Sequence, residues 1–249
     1  MSGRPVALVT GASRGIGLAI ARDLARTHTV IAGARSAVAL TVLLDEWPEV
    51  VPFVCDVGDA DSVAAAVRDL GVDRLDVVVH SAGIADERAF DTFTRDDWRR
   101  SFEVNVFGVA DLTARLLPAL RVARGTIVFL NSGSGMFSYP DGAVYSGTKF
   151  ALRTMADCLR EEERERGVRV VSLHPGFVDT DMARTIRQAS GREGPDESYV
   201  RPETIASAVR VAVDAPHEAQ FETISVRATL RAEATGSVPG ASGIVGRHG

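Results

Sequence analysis

Tyr145 and Lys149 stand four residues apart in Tyr145-Ser146-Gly147-Thr148-Lys149, at the start of a segment with helical spacing, so their side chains share one helix face. A phenol ordinarily ionises near pH 10, too high for proton exchange near neutrality. A neighbouring ammonium favours the phenolate, and a lowering of about three pH units is worth roughly 4 kcal/mol. Such pairs are also common on surface helices, so this one gains weight only from its company. Ser132 lies thirteen residues before Tyr145, just past an apolar run, where its hydroxyl could hold a substrate oxygen. Ser134 is a rival that lies only eleven residues before it. Asn105 is expected to open the helix ahead of that run, either as a cap or as the holder of a water that passes protons to Lys149. The chemistry these four imply is general acid–base catalysis at a carbon-bound oxygen.

Composition singles out Lys149 independently. It is the only lysine among 28 Lys and Arg, so it is placed where an ammonium is wanted and a guanidinium will not serve. Asn105 and Asn131 are the only asparagines.

The elements that must position these residues alternate along the chain. Short apolar runs at Val6–Val9, Val30–Ala32, Val50–Val54, Leu75–Val79, Thr126–Leu130 and Val168–Leu173 read as buried strands, with a weaker seventh at Phe221–Val226. Helical spacing separates them at Ile16–Arg26, Ala37–Glu46 and Asp59–Leu70, with Asp59 or Asp61 near the last helix's cap. Two longer helices are expected, an apolar stripe from Val106 to Leu120 with Pro118 near its end, and Tyr145–Arg166. The charge run Glu161–Arg166 reads as a solvated helix end. This alternation predicts an α/β fold: one doubly wound, mostly parallel seven-stranded sheet with helices on both faces. The fold is expected over residues 1–227, with a flexible tail over 228–249.

Between the first strand and the first helix lies Thr10-Gly11-Ala12-Ser13-Arg14-Gly15-Ile16-Gly17. Glycines there permit a tight turn and close backbone approach to a pyrophosphate, which the helix N-terminus attracts. The spacing GxxxGxG differs from the general dinucleotide fingerprint GxGxxG. Asp56 follows the third strand, as a cap or as an acceptor for an adenine amino group. Ser81-Ala82-Gly83 follows the fourth and permits close backbone approach.

Together these residues resemble the short-chain dehydrogenase/reductase family in its form of about 250 residues. The motifs are TGASRGIG (Thr10–Gly17), CDV (Cys55–Val57), HSAG (His80–Gly83), VNVFG around Asn105, LNSGSG around Ser132, YSGTK (Tyr145–Lys149) and HPGFVDT (His174–Thr180), spanning residues 5 to 227. The resemblance implies a Rossmann-type fold and an oxidoreductase that moves a hydride between a nicotinamide cofactor and a carbonyl or secondary alcohol. Tyr145 would be the general acid or base, Lys149 would hold the nicotinamide ribose, Ser132 would polarise the carbonyl and Asn105 would complete a proton relay. Cofactor contacts would come from Gly11, Ser13, Arg14, Gly15, Ile16, Gly17, Asp56, Val57, Ser81, Ala82, Gly83, Tyr145, Lys149, Pro175 and Gly176, with Val178 and Thr180 at the carboxamide. His80-Ser81 departs from the family's usual Asn-Asn, which puts a brace of that loop in doubt. The strand ending Thr223–Arg227 looks like that of members acting on hydroxy acids or small alcohols. Cofactor choice points to NADP(H). An NAD-selective site places an acid at the end of the second strand, and Ala34 stands there, followed by Arg35. Arg35 and Arg14 suit a 2′-phosphate.

The net charge of −5 argues against general nucleic-acid binding. No run reaches the roughly 18 apolar residues of a membrane span. Cys55 and Cys158 fit buried thiols in a reduced cytoplasm, and His80 and His174 lack further ligands at metal spacing, so no metal is expected. Ile84–Phe93, Met136–Tyr139 and Asp181–Val200 are the expected substrate walls. A homodimer or homotetramer built on the two long helices is implied by the resemblance. The competing readings are a catalytically silent NADP(H)-binding regulator, a relative that oxidises hydroxy acids or small alcohols with NAD(H), and, less compatible with the glycine spacing, a sugar epimerase of the extended family form.

Overall fold

A computed structural model describes residues 3–189 and 199–229. The expected tail lies almost wholly outside these residues, as does the 190–198 part of the third substrate wall. Seven parallel strands form one sheet in the order β3-β2-β1-β4-β5-β6-β7. They are β1 (Val6–Val9), β2 (Thr29–Ala34), β3 (Val51–Val54), β4 (Val77–His80), β5 (Thr126–Leu130), β6 (Arg169–Pro175) and β7 (Thr223–Val226). The sheet is wholly parallel, so every connection crosses over, and side chains alternate between two covered faces. Ala7, Val9, Val77 and Val79 enter one core; Val6, Leu8 and Val78 enter the other. The first core is closed by Ile20 and Leu24 of α1 (Gly15–Ala25) and by Ile205 and Val209 of α8 (Pro202–Val213). The second is closed by Val63 of α3 (Ala60–Leu70), Leu112 and Leu116 of α5 (Gly108–Ala123) and Leu152 of α6 (Ala143–Glu163).

Several boundaries differ from expectation for local reasons. The segment Ala37–Glu46 divides into a 3-10 turn, Ala37–Leu40, and a short α2, Thr41–Glu46. Asp59 is the α3 cap, its Oδ1 accepting from Ser62 N at 2.9 Å. The helix ahead of β5 begins well before Val106. Thr94 and Asp97 form a reciprocal capping box that starts α4 (Arg95–Phe102), and a π turn, Glu103–Phe107, joins it to α5. Asn105 therefore does not open a helix; it sits inside this π turn. Two further helices unseen in the sequence pattern are α7 (Asp181–Ala189) and α8, which starts with Pro202 in its first turn.

The charge run at the end of α6 is only partly solvated. Glu163 is 1% exposed and receives Arg121 of α5 at 2.6 and 3.0 Å, and this pair holds its carboxyl below the usual range. The pair fastens α5 to α6. Beside it Arg160 is also buried, donating to Val170 O of β6 and to Glu222 O next to β7.

Between the π turn and β3 the packing allows no side chain. A Cβ on Gly108 would run into the Val57 carbonyl oxygen, a backbone atom that cannot swing aside. This contact sets the height of the Asp56–Val57 loop against α5. Gly108→Ala should therefore destabilise the protein by up to about 2 kcal/mol, because overpacking toward the upper end of about 1–3 kcal/mol outweighs a helix-propensity gain of about 1 kcal/mol. Urea unfolding checks this; an unchanged or higher midpoint would contradict the packing.

Candidate active site

Strand order reverses between β1 and β4, and the loops leaving their C-terminal ends diverge to open a crevice there. The cleft has a volume of about 2670 Å³ and runs from Arg35 beyond β2 to Arg227 beyond β7. Its floor is the glycine loop. A Cβ on Gly17 would collide with the Gly11 carbonyl oxygen, and one on Gly11 would lie 2.9 Å from Ala82 Cα. Gly11 also has φ of +65°, which favours glycine. Backbone thus approaches backbone from both sides. The α1 N-cap, Arg14, makes no side-chain capping bond, which leaves the first-turn N–H groups available at a positively polarised helix end. Gly15 and Ile16 line the cleft at that point, as does Ser13. This cradle fits a pyrophosphate.

The loop after β4 is braced differently from the expectation built on its Asn-Asn substitution. Thr10 Oγ1 accepts from Ser81 N and Ala82 N, both at 3.0 Å. His80 turns away, buried, stacked on Phe129 at 5.2 Å and hydrogen-bonded to Thr113 Oγ1 at 2.9 Å. Burial pushes its imidazole down to about 3, so it is a neutral packing group. His174 is equally internal, joining Ser132 O at 2.8 Å to Ser172 Oγ at 2.9 Å. No cluster of three or more potential metal ligands occurs among the described residues. Ser81, Ala82, Gly83, Pro175, Gly176, Val178 and Thr180 all border the cleft. Asp56 and Val57 border it too, with Asp56 Oδ1 also accepting from Gly58 N at 3.0 Å.

Arg14 and Arg35 are exposed, line the cleft and form no ion pair among the described residues. Ala34, at the end of β2, is buried and apolar, as the sequence required of a site without a ribose-binding acid.

The four acid–base candidates converge on the same cleft wall. Tyr145 lies in the first turn of α6, close enough to Ser132 for the serine to favour its phenolate. Lys149, one turn on and 6% exposed, donates from Nζ to Leu130 O at 2.9 Å, with Nζ 5.7 Å from the Tyr145 ring centre. Burial pulls the ammonium down to about 8. Burial also pushes the Tyr145 phenol up to about 12, opposed by the Ser132 hydrogen bond and reinforced by the Glu87 charge. The expected lowering of the phenol by Lys149 is thus not what these protein groups produce: desolvation outweighs it. Ser134 is not a substitute for Ser132. Its amide donates to Ser132 Oγ at 3.1 Å, and its hydroxyl lies 3.2 Å from both Ser132 Oγ and Tyr139 OH.

Asn105 uses its whole carboxamide. Oδ1 accepts from Ile84 N at 2.9 Å, while Nδ2 donates to Ile84 O at 2.8 Å and to Thr148 Oγ1 at 3.1 Å. Its side chain is therefore a joint between three segments. Thr10, Thr148 and Glu87 are site residues to which the sequence reading gave no role. A hydroxyl directly after the first strand was a signal for Thr10; nothing local marks Glu87, whose partner is 52 residues away.

Comparison with known proteins agrees with this geometry. The family model for short chain dehydrogenases matches residues 5–191. An uncharacterised oxidoreductase of Staphylococcus saprophyticus is 31% identical over 89% of this chain and 95% of its own length. A serine 3-dehydrogenase of Agrobacterium fabrum is 32% identical over 77% of this chain and 79% of its own. An alcohol dehydrogenase of the archaeon Thermococcus sibiricus, solved with 5-hydroxy-NADP, superposes with a TM-score of 0.81 at 32% identity, covering 92% of this chain and 99% of that one. With its doubly wound parallel sheet, its glycine cradle at the switch point and Ser132, Tyr145 and Lys149 gathered on one wall of the cleft, the chain belongs to the short-chain dehydrogenase/reductase family of oxidoreductases.

Proposed function

We propose that the protein is an NADP(H)-dependent oxidoreductase acting on a carbonyl or secondary alcohol, with Tyr145 as general acid and base. The observation that carries this reading is the gathering of Ser132, Tyr145 and Lys149 in one cleft whose far end is lined by Arg14 and Arg35. The NADP analogue held by the Thermococcus sibiricus relative supports the cofactor. When bound, the nicotinamide supplies or accepts the hydride and, in its oxidised form, adds positive charge beside Tyr145. In reduction, Ser132 holds the carbonyl oxygen and Tyr145 protonates it. In oxidation, Tyr145 takes the hydroxyl proton. The Lys149 ammonium, one turn along, offers donors for a ribose. Asn105 keeps this helix and the Ile84 loop in register. As a second reading for the substrate, the serine 3-dehydrogenase relative and the strand ending Thr223–Arg227 favour a small hydroxylated compound. The exposed Phe107 and Phe150, on the π turn and α6, support association through this face; light scattering at micromolar concentration should give a dimer or tetramer and not the 26.5 kDa monomer.

Tyr145→Phe should keep cofactor binding, read by fluorescence titration, and lose at least about a hundredfold in kcat, the scale of general acid–base catalysis. Near-normal turnover by the folded variant would reject the role. The wild-type pH profile carries the same assignment. With the phenol held high, its base form grows about tenfold per pH unit up to its pKa. Alcohol oxidation should therefore accelerate with rising pH, while carbonyl reduction, which needs the protonated phenol, should not.

Cofactor choice is tested by kcat/KM with NADPH and NADH. A hydrogen bond to a charged group is worth about 1.5–3 kcal/mol, so Arg35→Ala should lower the NADPH value by roughly 10- to 150-fold and leave NADH nearly unchanged. Ala34→Asp should shift preference toward NADH, because the new carboxylate repels a 2′-phosphate. A wild type that prefers NADH would refute the assignment.

A further inference from the structure

Proton exchange at Tyr145 makes no use of Glu87, yet Glu87 is built into the same cleft. It lies on the loop after β4, half-buried, and its Oε1 accepts from Tyr139 OH at 2.6 Å. Tyr139 OH lies 3.2 Å from Ser134 Oγ, and Ser134 Oγ accepts from Ser132 Oγ at 3.2 Å. Three hydrogen bonds thus lead from the Glu87 carboxylate to the hydroxyl that would hold the reacting oxygen. Among the described residues Glu87 has no cationic partner, and Oε2 has no hydrogen bond. The adjacent guanidinium is engaged elsewhere: Arg88 Nη2 lies 2.7 Å from Asp97 and 3.4 Å from Asp86, over the Phe93 ring. The Arg88 backbone N–H donates to Asp141 O at 2.9 Å, which ties the two loops of this wall together.

A half-buried carboxylate without a cationic partner is costly. Here it also works against the chemistry, since its charge opposes the Tyr145 phenolate. Both penalties vanish if a cation arrives with the substrate. An ammonium suits the place: it is compact, carries three donors, and can meet Oε2 while Tyr139 keeps Oε1.

On the reading of the site given above, we propose that Glu87, fixed by Tyr139, is the recognition carboxylate for an ammonium group on the substrate, so that the preferred substrates are amino alcohols and the corresponding amino ketones. Anionic groups at that end of the cleft are disfavoured by the same charge.

The test uses alcohol pairs in which an ammonium replaces a methyl on the same skeleton: 1-amino-2-propanol against 2-butanol, and 4-amino-2-butanol against 2-pentanol. Oxidation is followed with NADP+ near pH 7.5, where the amines are charged. In at least one pair the charged member should be favoured in kcat/KM by roughly 10- to 150-fold, the range of a hydrogen bond to a charged group. Glu87→Gln should remove that preference, read as the ratio of charged to neutral member within each pair, whatever change in the neutral member's own rate follows from taking a negative charge away from Tyr145. Tyr139→Phe, which keeps the charge but frees it, should weaken the preference by less. Binding is read separately by calorimetry on Tyr145→Phe protein, with and without NADP+, where the same ranking should appear in Kd without turnover. Equal handling of both members in both pairs overturns the proposal, as does an undiminished preference in Glu87→Gln. If neutral and charged alcohols react alike, the recognition role falls and the oxidoreductase assignment stands. If the ranking survives in Kd but wild type oxidises nothing, the assignment falls and the ammonium site stands.

Discussion

The Asn105 carboxamide is the joint on which the site depends. It is 1% exposed, so both its atoms must be satisfied inside the protein. They are, through both backbone groups of Ile84 and the hydroxyl of Thr148. One amide therefore fixes the height of the loop after β4, the geometry of the π turn and the register of α6. Lys149 is the next residue after Thr148, and Thr148 also donates to the Tyr145 carbonyl at 2.8 Å. A side-chain amide offers a donor and an acceptor in one plane, which a carboxylate or an aliphatic residue of that size cannot reproduce.

Around that joint the electrostatics are set against the ionised forms. Tyr145 and Lys149 both lose water on folding, which drives the phenol up and the ammonium down. Ser132 alone among the protein groups draws the phenol back. Burial thus favours the protonated phenol, and positive charge entering the cleft would act in the opposite sense.

The strand–helix alternation was legible because parallel strands covered on both faces are continuous apolar runs, as Val77–Val79 is. The gathering of Tyr145, Lys149 and Ser132 was legible because fixed spacing on one helix and one strand end places them together. Other parts depend on contacts distant in sequence. The α4 helix carries Thr94–Asp97 as its start signal, but no apolar stripe follows in Arg95–Arg100 to draw attention to it. Glu163 sits inside a run of seven charged residues, Arg160–Arg166, and it is chiefly Arg121, 42 residues earlier, that makes its burial tolerable. The raised phenol could not be read from the Tyr145–Lys149 spacing, since spacing reports proximity and not the loss of water. The π turn is invisible to periodicity, because one extra residue in a helix changes the phase only beyond Asn105.

That Lys149 is the chain's single lysine also bears on the molecule's titration as a whole. Every other strongly basic side chain is a guanidinium, which stays charged across the range in which proteins remain folded. On the alkaline side of neutrality, surface cations therefore hold their charge, and solubility and long-range attraction for anions are insulated from pH. The one cationic side chain that can lose its proton there lies 5.7 Å from the Tyr145 ring centre, on the cleft wall. An alkaline change that would spread over many surface amines in a lysine-rich protein is, in this one, felt among its cationic side chains at Lys149 alone.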